Sequence, residues 1–135
     1  MNKLLVVFAA GCFGALMNSL VVWLFGKYGI ASMMGVTIAP HLTSAWLYPR
    51  IVWGGIWGIL FILPFLNNAE QWLVKGSLLS LLPTVVQLFY IFPMIAGKGM
   101  AGMDLGMLTP LLVFFFNWVW GIMTAYAIKV SLAAY

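Results

Sequence analysis

Charge is what this sequence has least of. Of its 135 residues, 6% are Asp, Glu, Lys or Arg, whereas 65% are hydrophobic. A soluble domain carries about 25% charged residues, so this chain lacks the polar surface needed to face water. That excludes a cytoplasmic enzyme, a secreted domain and a disordered segment. It leaves an all-α integral membrane protein.

Cysteine, histidine and carboxylates are almost as scarce. The single Cys12 allows no internal disulfide. One histidine, His41, and two acids, Glu70 and Asp104, cannot build an ordinary zinc or di-iron site. A histidine pair for a haem is also missing, so the expectation is no metal and no cofactor. The six basic residues, which set a net charge of +4, form no run, and this argues against nucleic acid as a partner. The chain shows no nucleophile–base pair and no carboxylate dyad, so the expectation is a protein that is not an enzyme.

What is present is apolar sequence in long runs. The eight charges leave charge-free runs at 4–26, 28–49, 51–69, 76–97 and 105–128. Each reaches the roughly 18 residues of a spanning candidate. The N-terminal run resembles a signal peptide with a lipoprotein-like site at Ala9-Ala10-Gly11-Cys12. However, Ala9 stands where a larger aliphatic residue is usual, and the apolar stretch continues to Phe25. It reads as a retained membrane helix.

Five runs reduce to four helices. Residues 30–48 contain Ser32, Gly35, Thr37, Pro40, His41, Thr43 and Ser44 and are less apolar than the rest. Residues 51–66 cover only about 24 Å as a helix, short of a hydrocarbon core of about 30 Å. The expectation is one domain over 1–135, an up-down bundle with helices at about 4–25, 40–66, 72–95 and 110–131. The second helix would kink at Pro49, and an interfacial or re-entrant segment would lie near 30–40. The alternative is five spans, with 30–48 as a full crossing. Asn67-Asn68-Ala69-Glu70-Gln71 reads as a polar turn, and Thr109-Pro110 as a helix start.

Depth supports four. In an up-down bundle, Asn18, Gln87 and Asn117 fall about two-thirds of the way across from the N-terminal face, with Arg50 slightly further along. Five helices would scatter them. This polar layer is a candidate ligand site or a set of interhelical fastenings.

Trp46, Arg50, Trp53 and Trp57 have spacings of four, three and four, which place them on one helix face. A charge inside a membrane helix is costly and points to function, and indoles stack on guanidinium. The face is a candidate anion or head-group site; the alternative is an interfacial belt in which Arg50 reaches lipid phosphates. His41, the single histidine, joins the candidates as a proton-handling residue, with a water-exposed or capping role as its alternative. Gly97-Lys98-Gly99-Met100-Ala101-Gly102 matches GxGxxG by composition only, because no strand precedes it.

Small residues recur at four-residue spacing, in Gly11 with Ala15, Gly54 with Gly58, and Gly121 with Ala125. They mark close helix contacts and suggest a homodimer or other homo-oligomer through small-residue faces. The lysines give a slight excess on the N-terminal side, Lys3, Lys75 and Lys129 against Lys27 and Lys98, which leans towards cytoplasmic termini in a cell inner membrane. The leading functional expectation is transport or permeability of a small or anionic solute. The alternatives are a non-catalytic subunit docked to a membrane-protein partner, and a lipid or amphiphile binder.

Overall fold

Four helices long and apolar enough to cross a membrane make up most of the chain: Lys3–Lys27, Ser44–Ile62, Trp72–Ile95 and Thr109–Ser131. The computed structural model describes residues 2–66 and 68–133. Asn67, part of the expected polar turn, lies outside the described residues. The protein is an all-helical, multi-pass membrane bundle.

Local chemistry sets the ends. Helix α1 (Lys3–Lys27) starts at Asn2, whose side chain accepts from the Leu4 N–H at 2.9 Å and so satisfies one of the orphan donors of the first turn. Lys27 in its last turn suits the negative end of the helix dipole. A one-turn helix α2 (Ile30–Met33) follows, and the chain is non-helical from Gly35 to Thr43. The five-span alternative therefore loses its second helix.

Helix α3 (Ser44–Gly58) begins later than the expected residue 40. Thr43 is the reason: its hydroxyl accepts from the Trp46 N–H at 3.2 Å, whereas Pro40 stays in the extended stretch before it. The helix continues through Pro49 and tightens into a 3₁₀ turn at Ile59–Ile62. Helix α4 (Trp72–Val86) widens into π-helical turns over Gln87–Ile95, visible in the i→i+5 bond from Ala96 N–H to the Ile91 carbonyl at 2.7 Å. Helix α5 (Thr109–Ala133) closes the bundle.

Packing follows the small residues. A side chain on Gly58 would meet the Val7 carbonyl at 2.6 Å and Gly11 Cα at 2.8 Å. One on Gly76 would meet the Gly121 carbonyl at 2.6 Å, and Gly14 abuts Trp120 and Thr124. Backbones thus approach closely, α1 against α3 and α5, and α4 against α5, as expected where lipid supplies no hydrophobic drive and van der Waals contact must fasten helices. The small-residue faces are used within the chain. Contacts run in opposite numerical order along α1 and α3 (Gly11 with Gly58, Asn18 with Arg50) and along α1 and α5 (Gly14 with Thr124, Phe25 with Phe116). These neighbours are antiparallel.

The order around the bundle is therefore α3, α1, α5, α4, and α3 does not pack along α4. That side is open. Towards the chain termini, Val7, Ala15, Phe61, Leu79, Trp120 and Ala125 form a packed core. Towards the end that carries the 28–43 and 96–108 connections, Val22, Val36, Leu112 and Phe116 form a second. Lys75 is buried at the terminal end, where Nζ donates to the carbonyls of Phe61 and Leu63, each at 3.0 Å. These carbonyls are available because the chain leaves regular helix there.

Candidate functional site

Between the two packed regions lies a polar layer. Its centre is Arg50. The guanidinium Nε donates to Ser19 Oγ at 2.9 Å, and Nη2 donates to Asn18 Oδ1 at 2.8 Å. Its Cζ lies 4.7 Å from the centre of the Trp46 ring. Asn18 is itself fixed, because its Nδ2 donates to the Phe116 carbonyl of α5. Beside it, Asn117 Nδ2 donates to Gln87 Oε1 at 3.2 Å.

These contacts explain how a charge can sit at this level. Insertion of an arginine at mid-helix costs about 2.5–3.5 kcal/mol on translocon-derived scales. Hydrogen bonds to a charged group contribute about 1.5–3 kcal/mol each, and an Arg–Trp stack about 0.5–2 kcal/mol. Two such bonds and the stack are enough to hold Arg50 in place. They do not neutralise it: Ser19, Asn18 and Trp46 are uncharged, and neither Glu70 nor Asp104 lines the spaces around it. Two of the five guanidinium N–H groups are used on the protein.

Two cavities meet at this layer. One, of about 400 Å³, extends towards the connections and is bordered by Thr37, Ala39, Pro40, Trp46 and Lys98. The other, of about 430 Å³, lies on the open side between α3 and α4, where Trp53 and Trp57 face Pro83, Val86 and Tyr90, with Ala15 and Trp120 behind. Asn18, Arg50, Gln87 and Asn117 border both. The first space is the more polar of the two, although apolar atoms form the larger part of its wall; the second is mostly apolar and aromatic. Trp120, on its wall, packs against Phe61 in the terminal core, with ring centres 6.0 Å apart, where Gly11 and Gly58 also approach closely.

Most of the residues singled out from the sequence come together here. Asn18, Arg50, Gln87 and Asn117 share the layer, Trp46 stacks on Arg50, and Trp53 and Trp57 line the apolar cleft. His41 does not join them: it is exposed and borders neither cavity. Sequence reasoning passed over Ser19, the second acceptor for Arg50, and Lys98 as a wall of the polar cavity. For Ser19 the available signal was its place beside Asn18 in an otherwise apolar helix. Among the described residues, no group of three or more His, Cys, Asp or Glu could hold a metal ion.

The chain matches no family model, and no similar protein was found among curated proteins or solved structures. The chemistry of the site therefore carries the functional argument.

Proposed function

We propose that the protein binds an anionic amphiphile within the membrane, with Arg50 as the head-group donor and the cleft between α3 and α4 as the seat of the chain. One observation carries this reading: an uncompensated guanidinium stands where a polar cavity meets an apolar cleft that opens sideways between two helices. Arginine suits the role because it stays charged and presents a planar fork to phosphate or carboxylate oxygens. The open side gives a membrane-dissolved ligand direct access from the bilayer.

Energetics divide the labour. A hydrocarbon chain moving from lipid into the cleft exchanges one apolar surrounding for another, so it gains little. Affinity must come from the head group at Arg50, and the cleft decides which molecules fit. In this reading the 30–40 segment re-enters the membrane to cover the head-group cavity, and Pro49 bends α3 around it.

Transport of a small anionic solute is a second reading, favoured by the fact that the same four polar side chains border both cavities. It requires the Trp120–Phe61 layer to open. Flux of a small anion through proteoliposomes, abolished in Arg50→Gln, would select it over binding alone. The docked-subunit reading has less to draw on, since the small-residue faces pack within the chain, and a homo-oligomer would need another face. With Lys75 turned into the bundle, two lysines remain at each end, Lys3 and Lys129 against Lys27 and Lys98. Placing the termini in the cytoplasm thus no longer rests on a charge excess.

The test is a titration of the purified protein in neutral detergent with a long-chain anion and its zwitterionic counterpart. The anion should bind and the zwitterion should bind at least about tenfold more weakly, a difference of about 1.4 kcal/mol. Equal binding of both would contradict a site built around Arg50.

A further inference from the structure

The polar cavity holds more positive charge than one carboxylate would need. Arg50 and Lys98 both line it, and among the described residues no acidic side chain borders it. Asp104, the nearest acid in sequence, packs against Gly99 and lies outside the lining. Lys98 is fixed by its backbone, whose N–H donates to the Phe92 carbonyl at 2.8 Å and whose carbonyl accepts from Asp104 N–H at 3.0 Å. Several donors at this cavity are left over. Three N–H groups of Arg50 have no protein partner among the described residues, nor does the Gln87 amide nitrogen, whose oxygen is taken by Asn117.

We propose that the head group is a phosphate monoester, held between Arg50 and Lys98. This rests on the amphiphile reading above and names its ligand class. A phosphate monoester carries about −1.5 to −2 charges at neutral pH and three strong acceptor oxygens. It can therefore take the arginine fork on one edge and still accept from Gln87 and from the lysine. A carboxylate has one charge and two oxygens, and would leave Lys98 uncompensated. A phosphodiester with a quaternary amine would bring a cation into a cavity that already holds two.

The test uses the full-length protein in neutral detergent and four probes: dodecyl phosphate, dodecanoate, dodecylphosphocholine and inorganic phosphate. Dodecyl phosphate should bind about tenfold more tightly than dodecanoate. Lys98→Gln, a change on an exposed loop residue, should weaken dodecyl phosphate about three- to tenfold and dodecanoate by a clearly smaller factor, as expected for removing a charge at the rim of a site. Dodecanoate binding as well as dodecyl phosphate, with Lys98→Gln weakening neither selectively, would overturn the phosphate assignment and leave the amphiphile reading standing. Failure of every long-chain anion to bind would remove both. Inorganic phosphate binding as tightly as its dodecyl ester would keep the dianion site but make free phosphate its ligand.

Discussion

Arg50 of α3 donates from Nη2 to Asn18 Oδ1 of α1 at 2.8 Å, and Asn18 passes the connection to α5 through the Phe116 carbonyl. A cation in the middle of the bundle is thus held by neutral groups, one of them an amide that is itself anchored. Position is fixed and charge is left over. Under the proposed function, such a site would attract an anion and give it a defined orientation.

The fork matters as well as the charge. Arg50→Lys keeps a cation but cannot bond Ser19 and Asn18 while also presenting two parallel donors to a ligand. The expected result is a long-chain anion bound about tenfold more weakly than by the native protein, with the bundle still folded. Calorimetric titration in detergent, alongside a thermal melt, reads both. Unchanged affinity would mean that only net charge counts.

The cleft should matter less for affinity than the head group. Trp53 is 61% exposed at its mouth, and a chain placed there gains little over lipid. Trp53→Ala is expected to alter affinity by less than about threefold, below roughly 0.7 kcal/mol. A bromine-labelled chain should nevertheless quench Trp53 in a variant whose other tryptophans are Phe, and Arg50→Gln should remove that quenching. Quenching that persists without Arg50 would separate the chain from the head-group site.

Lys75 belongs to the architecture and not to the site. Its two bonds to the Phe61 and Leu63 carbonyls tie α4 to the end of α3 at the terminal end of the bundle. Lys75→Met should lower stability by about 1–3 kcal/mol, measured as an earlier unfolding transition in detergent. Anion affinity should stay within error. A loss of binding without a loss of stability would place Lys75 in the site instead.

The glycine contacts make a sharper structural test. A Cβ at Gly58 would lie 2.6 Å from the Val7 carbonyl, and backbone cannot yield as a flexible side chain can. Gly58→Val should destabilise the bundle by about 1–3 kcal/mol or more. Native-like melting of this variant would contradict the close α1–α3 approach.

Much of this arrangement was legible because the membrane enforces simple rules. Apolar runs gave the helices α1, α4 and α5 nearly to their ends, and helical rise placed Asn18, Gln87 and Asn117 at one depth with Arg50 slightly further along. The start of α3 was missed because Thr43 outcompeted Pro40 as the point where the helix begins. The π-helical turns after Val86 carry no pattern of their own, so Gln87 was placed by depth but not by local geometry. Lys75 read as a surface charge because Phe61 and Leu63 hold it through backbone carbonyls, which sequence does not display. The cleft between α3 and α4 was also invisible, since it depends on which helices are neighbours and not on any one of them.

The most direct test is native mass spectrometry of the protein purified in a mild neutral detergent, compared with its Arg50→Gln variant. The account predicts one anionic amphiphile retained per chain on the native protein and none on the variant, with both folded. Equal retention by both proteins, or a native protein that holds no anionic amphiphile when one is supplied, would contradict it.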